Sequence, residues 1–322
     1  MAEAVLSKDA NANAMDGTAP EALAAGEVTQ LPDGRIGVTA GLLGFASGDP
    51  ATWTTGGTFT FAKTASVVCL DGGRAYWDKS ASSITPLQTE SGDNVYAGVF
   101  VGDAASAATT CVVDINVEQR TVWDMHDGGA DTAIVQTTGT TKLEWSGGTC
   151  QFSFSTNAEA EKVDILSKLS VPVTQPTIFE SIWEVVTAAD ADVADVSVGL
   201  ANATHASDAD SITESAFFHQ DSGADLNLDA ESDDGTTEVA ATDTTIDIIA
   251  GTPVEVWLDA RDIENIKYYV DGVEVLAATA NLGDIGDATG PLKALWHVEK
   301  SANDTAGVYQ LHRMILRTTD VE

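Results

Sequence analysis

The chain is poor in positive charge, cysteine, histidine and long apolar runs, and each shortage removes a class of function. Fifteen lysines and arginines stand against 50 aspartates and glutamates, for a formal net charge of -35 over 322 residues. So acidic a chain repels phosphate backbones and anionic bilayers, which argues against nucleic acid and membrane surfaces as partners. Three cysteines, Cys69, Cys111 and Cys150, include no CxxC pair, so neither a disulfide framework nor a zinc finger is indicated. Cys69 in VVCL and Cys111 in TCVVDI are expected to be buried free thiols. The five histidines, His126, His205, His219, His297 and His312, form no HExxH or HxH pair, and neither a GxSxG elbow nor a phosphate loop is present. Each is read as a surface or satisfied core residue; no catalytic residue, no enzyme activity and no obligatory cofactor are expected. No apolar stretch approaches the ~20 residues needed to span a bilayer. The opening MAEAVLSKDANANAMDG has no basic segment and no long apolar core, unlike a secretory signal, so synthesis in the cytoplasm is expected.

What the chain does have is acid, small residues and short strand-like runs. Its 43% apolar content is enough for cores in two ordinary domains. The acidity has two open readings: attraction of a basic partner, or solvation in a very salty medium where screening removes self-repulsion. The dispersal of the acids among small residues favours the second and points to a halophilic or marine host.

Residues 1–25, rich in Ala, Asn, Asp and Gly, read as a flexible or partner-bound arm. Residues 26–117 then carry three organising words: LPDGRIGV (Leu31 to Val38), GGRAYWD (Gly72 to Asp78) and YAGVFVGDA (Tyr96 to Ala104). Each joins a β-branched or aromatic run to a Gly turn, and Asp33-Gly34 is a dipeptide favoured in tight hairpins. Further strands are expected at Thr58 to Phe61, Val67 to Leu70 and Thr109 to Ile115.

The order and wording of these segments resemble the small β-barrel family of tailed-virus capsid decoration, or cement, proteins. The resemblance implies a β-barrel that stabilises an icosahedral shell by bridging major capsid proteins, with self-association as a homotrimer and a place on the outer virion surface. By the same resemblance, Leu31, Pro32, Asp33, Arg35, Trp53, Tyr76 and Trp77 are the residues expected at capsid or subunit contacts, Trp53 as an exposed aromatic in the loop PATWTT.

Residues 118–322 continue beyond that likeness. Short strands are expected at Thr121 to Trp123, Ala133 to Gln136, Thr141 to Trp145 and Cys150 to Ser155. Ala158 to Lys168 (AEAEKVDILSK) is the one stretch with helical spacing. In Thr177 to Val186 the residues Ile178, Glu180, Ile182, Glu184 and Val186 share one face, Phe179, Ser181, Trp183 and Val185 the other. Strands follow at Val196 to Ala201, Ala216 to Gln220, Asp225 to Ala230, Thr236 to Ala241 and Val254 to Asp259. The hairpin IKYYVDGVEVLA (Ile266 to Ala277) precedes two final strands, Lys293 to Glu299 and Val308 to Arg317. Strands at this spacing indicate an antiparallel sandwich. TPVEVWLDARD, KYYVDGVEV and YQLHRMILR resemble the concanavalin-like jelly rolls of lectins. The fold class expected is thus all-β, a small barrel followed by a jelly-roll sandwich.

The jelly-roll likeness implies a possible host-surface glycan as partner, and a carbohydrate-binding adhesin is the alternative to capsid decoration. It also implies a possible structural calcium or other cation. Asp190, Asp192 and Asp195, or Asp208 and Asp210, or Asp229, Asp233 and Asp234, offer oxygen ligands, though no EF-hand loop is present. A glycosidase needs two carboxylates across a cleft; Glu180 and Glu184 lie on one strand face, but an exposed sheet face shows the same alternation. Most of the seven tryptophans sit in apolar strand words and are expected in cores.

Overall fold

The computed structural model describes residues 4–6, 14–40, 43–88, 94–125, 132–138, 142–146, 149–187, 194–205, 209–220, 226–277, 283–303 and 306–319. Among them every regular element is a strand, and no helix is long and apolar enough to cross a membrane. Two compact units, residues 1–120 and 121–322, divide the chain.

The first unit contains β1 (Ala4–Leu6), β2 (Ala14–Thr18), β3 (Val28–Gln30), β4 (Ile36–Thr39), β5 (Pro50–Thr54), β6 (Gly57–Ala62), β7 (Arg74–Asp78), β8 (Ser83–Thr85), β9 (Asn94–Phe100) and β10 (Thr110–Ile115). One sheet runs β1-β6-β10-β9-β7-β8 and a smaller one β2-β5-β4-β3. A parallel bridge from Lys63, just past β6, to Ile84 in β8 brings the last strand of the larger sheet back to its second and closes a barrel. Inward-facing Phe59, Phe61, Trp77, Phe100, Val113 and Ile115 fill it, with Val28, Ile36 and Val38 of the small sheet in the same core. Asn116 stitches the two sheets: its Nδ2 donates to Ile36 O and Thr55 O, both at 2.9 Å, and its Oδ1 accepts from Ile36 N at 3.1 Å.

Two sequence expectations change here. Residues 14–25, expected within a flexible or partner-bound arm, include β2, which pairs with β5, and Ala19 and Leu23, which are buried beside Leu31, Ala51 and Trp53 of the same unit. Apolar residues too sparse to build a core alone complete one supplied by later strands. The first unit also extends to Arg120 rather than 117, because Tyr96 donates to Val117 O at 2.7 Å and Arg74 Nε to Gln119 Oε1 at 2.9 Å.

The second unit contains β11 (Trp123–Asp124), β12 (Thr132–Thr138), β13 (Lys142–Ser146), β14 (Thr149–Ser153), β15 (Glu159–Ser167), β16 (Thr177–Thr187), β17 (Ala194–Ala201), β18 (Ser215–Gln220), β19 (Asn227–Asp233), β20 (Glu238–Asp247), β21 (Val254–Ala260), β22 (Lys267–Val270), β23 (Val273–Val275), β24 (Lys293–Asn303) and β25 (Val308–Thr318). An eight-stranded sheet, β13-β14-β25-β16-β21-β22-β23 with β11 beside β25, packs on a seven-stranded one, β12-β15-β24-β17-β18-β19-β20. The pairing is antiparallel throughout, and sequence neighbours repeatedly cross between sheets, as in a jelly roll. Between the sheets lie Phe152, Phe179, Trp183, Phe218, Tyr268, Trp296 and Leu316.

The helical spacing of residues 158–168 is overturned, since this stretch is β15, a strand paired with both β12 and β24. Val163 and Ile165 repeat at an interval of two, and tertiary pairing outweighs the helix propensity of the charged half. The two faces of β16 follow the expected alternation: Phe179, Trp183 and Val185 enter the core, while Glu180 meets Arg317 Nε at 2.7 Å on the other side.

Candidate functional site

In the first unit the hairpin of LPDGRIGV is built from its own residues. Leu31 N donates to Arg35 O at 2.8 Å and Gly34 N to Leu31 O at 2.9 Å, with Gly34 at the positive φ of 88° that the turn demands. Asp33 accepts from Arg35 N at 3.1 Å and Nε at 2.8 Å, and the Arg35 hydrogen bonds hold its carboxyl below the usual carboxylate range. Pro32, Asp33 and Arg35 are exposed on this tip, whereas Leu31, Trp53, Tyr76 and Trp77 are buried within the unit.

Trp53 therefore departs from its expected place in an exposed loop: it lies in β5 and is 3% exposed. Glycines make its seat. A Cβ at Gly17 would lie 2.9 Å from the indole, and one at Gly37 2.8 Å from Trp53 Cβ, so strands β2 and β4 accommodate the ring because those positions have no side chain. A groove of about 440 Å³ beside the barrel is lined by Pro20, Glu21, Val28, Thr29, Gln30, Trp77, Lys79 and Val95. Its two charged residues, Lys79 and Glu21, pair at 3.7 Å. The cysteines are buried and free, as expected, and burial pushes the Cys150 thiol up to about 12, where it is a poor nucleophile.

The second unit carries a more concentrated constellation. Strand register aligns Asp164, His297, Ser197, His219 and Asp229 in one row across five strands of the seven-stranded sheet. The adjacent row holds Lys162, Glu299 and Asp195. These side chains alternate with core residues Val163, Val196, Phe218 and Val298, so they lie on the face away from the sandwich interior. At one end His297 Nδ1 is 2.7 Å from Asp164 Oδ1 and Nε2 is 3.3 Å from Glu299 Oε2. At the other, His219 Nε2 is 2.7 Å from Asp195 Oδ1, while Nδ1 faces Asp210 Oδ1 at 3.4 Å and Glu231 Oε2 at 3.6 Å.

Burial alone would lower both imidazole pKa values, but the facing carboxylates outweigh it and raise His297 to about 9 and His219 to about 12. For His297 the sign follows from the folded value lying above the ordinary one near 6.5. Its contribution to stability is fully present below about pH 6.5 and is lost as pH rises through about 9. The urea midpoint is expected to fall between pH 7 and 10, and more shallowly in His297→Gln; equal slopes would contradict the assignment.

The expected calcium clusters fare differently. Asp190, Asp192 and Asp208 lie outside the described residues. Asp233 accepts from Gly235 N at 2.7 Å, and Asp234 from Thr236 N at 2.7 Å and Thr237 N at 2.6 Å, so both cap the β19–β20 turn. Asp195 and Asp210, assigned by sequence to separate clusters, meet at His219, which sequence spacing had treated as solitary, and Asp229 is its register partner on β19. Glu180 is ion-paired with Arg317 and Arg313, and Glu184 Oε2 is in hydrogen-bond contact with His312 Nε2 at 3.1 Å. Trp123, Trp183, Trp257 and Trp296 are buried, in line with the core expectation.

Residues 9–115 match the family model described as phage cement protein, so the likeness read from LPDGRIGV, GGRAYWD and YAGVFVGDA holds for the first unit. No curated protein matches the chain. Among solved structures, the carbohydrate recognition domain of Emp47p is 12% identical with a TM-score of 0.44, covering 60% of this chain and 90% of that one. A laminarinase from Flavobacterium sp. UMI-01 is 9% identical with a TM-score of 0.46, covering 62% and 100%. The carbohydrate-binding module CBM66 from Bacillus subtilis is 12% identical with a TM-score of 0.36, covering 56% and 93%. Overlap this loose assigns the second unit no ligand.

Proposed function

We propose that this chain is a structural virion protein that decorates the outer surface of an icosahedral tailed-virus capsid. The observation that carries the reading is the phage cement protein match over residues 9–115, which coincides with the closed barrel and its small companion sheet. The barrel bridges neighbouring major capsid subunits, three copies associate at each site, and the sandwich projects outward. Binding to the assembled shell and not to its dissociated subunits adds free energy to the assembled state by mass action. The exposed tip Pro32, Asp33 and Arg35 is the part of the expected contact set free to meet another protein; the buried members shape the barrel beneath it.

A structural role accords with the site chemistry. The groove of the first unit holds a paired lysine and glutamate, and of the two glutamates considered for glycoside cleavage Glu180 is tied to two arginines and Glu184 is in hydrogen-bond contact with His312. Purified virions are expected to carry this chain in near-stoichiometric ratio to the major shell protein, with three-fold density on the outer surface in particle images. Bare shells would end the proposal. Host-glycan attachment by the sandwich is the companion reading, carried by the jelly-roll likeness of TPVEVWLDARD, KYYVDGVEV and YQLHRMILR; the polar row, with Asp164, Ser197, His219 and His297 all buried, is not an open sugar surface. A glycan array with the full chain tests it, and a flat response leaves the sandwich as a purely structural projection.

A further inference from the structure

His219 is 3% exposed, yet it confronts three carboxylates. Its Nδ1 makes no hydrogen bond of good geometry, although Asp210 and Glu231 face it, and Glu231 Oε1 is also buried without one. The ligand-type atoms of Asp210, His219 and Glu231 all lie within 4.8 Å of one another. Two ligands of a tetrahedral cation, each about 2.0–2.1 Å from the metal, stand about 3.4 Å apart. The separations of 3.4 Å and 3.6 Å around Nδ1 are of that size.

We propose that Asp210, His219 through Nδ1, and Glu231 bind a first-row divalent cation of the zinc type, with Asp195 as a positioning residue on His219 Nε2. An imidazole nitrogen between two carboxylates suits such an ion, whereas calcium takes six to eight oxygens. With Nε2 held against Asp195 Oδ1 at 2.7 Å, the ring keeps its proton there, and Nδ1, on losing its own proton to make way for the ion, directs its lone pair between the other two carboxylates. Charge favours the same occupant: a single imidazolium leaves three carboxylates with excess negative charge, which a divalent ion compensates more fully.

The ligands are held in place before any ion arrives. His219 and Glu231 project from adjacent paired strands, β18 and β19. The segment carrying Asp210 is closed by Ile212 N donating to Ala209 O at 2.9 Å. Glu214 ties it down, accepting from Thr289 N at 2.9 Å and Gly290 N at 2.8 Å. The Asp210 side chain is 43% exposed, which gives the ion an entry path and leaves a coordination position for water.

Cation binding at His219 does not depend on capsid decoration, and the full chain serves for its test. Protein stripped with EDTA and titrated with zinc chloride in moderate salt is expected to bind one tight equivalent, which raises the thermal midpoint. Asp210→Asn, a change at a partly exposed side chain, keeps the fold and weakens that equivalent at least tenfold. Asp195→Asn weakens it roughly 10–100-fold, the range for loss of an outer-shell partner. Calcium chloride at equal concentration does not compete. Three results would overturn the proposal: no tight equivalent in folded, stripped protein; a tight equivalent unchanged in both Asp210→Asn and Glu231→Gln, which would place the zinc on the general acidic surface; or equal competition by calcium.

Discussion

Lys300→Met is expected to lower the stability of the second unit by about 3–5 kcal/mol, the range for breaking one partner out of a buried ion pair. Lys300 and Glu161 have fully buried side chains and approach to 2.9 Å. The ammonium has three hydrogens and three acceptors: Glu161 Oε1, Ser155 O at 2.8 Å and Asn157 O at 3.2 Å. Glu161 in turn accepts from Ser155 N at 3.0 Å and from Ser155 Oγ at 2.5 Å. The pair thus fastens the chain at 155–157 over the end of the sandwich. Methionine matches the length of lysine but leaves a carboxylate and two carbonyls without their donor in a low-dielectric site. Since domains have only about 5–15 kcal/mol in hand, a loss of this size is a large fraction of the total. Urea unfolding followed by sandwich tryptophan fluorescence measures it. The double variant Lys300→Met with Glu161→Leu is expected to regain most of the loss, because removing both charges removes the unpaired one. A single-variant loss below about 1 kcal/mol would mean that the site is solvated.

Trp77→Ala is expected to cost the first unit about 3–5 kcal/mol, the usual range for truncating a buried aromatic to alanine. Trp77 is 2% exposed, packs against Phe61 with ring centroids 6.4 Å apart, and sits on β7 between β8 and β9 near the barrel's closing bridge. Its loss opens a cavity where the barrel closes. Arg35→Ala, at the exposed tip, is expected to leave the unfolding midpoint unchanged and yet reduce occupancy on particles. The pair of variants separates core from contact, which the sequence words join. If Arg35→Ala and Pro32→Ala both occupy particles like the parent protein while remaining folded, the hairpin is not the capsid contact.

Much of the fold was legible because local chemistry and final environment agree. Asp33-Gly34 sits in a positive-φ turn, the DG of KYYVDGVEV turns β22 into β23, and the alternation of TIFESIWEVV survives intact in β16. Legibility failed where the partner of a residue is remote. AEAEKVDILSK has helical local preferences, and two neighbouring strands make it β15. Trp53 looked exposed in PATWTT because nothing nearby in sequence reveals that Gly17 and Gly37 leave space for its ring. Sparse apolar residues in the first 25 positions looked insufficient for order until later strands completed their core.

The candidate site shows the same division more sharply. Residue types indicated a mainly strand-built chain, strong net acidity and buried thiols, since turn chemistry, period-two patterning and net charge are local or additive properties, while the decoration-like reading of the first unit rested on the resemblance of its words to cement proteins. The tertiary structure alone decided which polar residues meet. Asp195, Asp210 and Glu231 reach His219 through strand register and one anchored loop, at separations no spacing rule encodes. Register is set by which face of each strand the core buries, so the position of a charged side chain in space follows from apolar residues elsewhere in the chain.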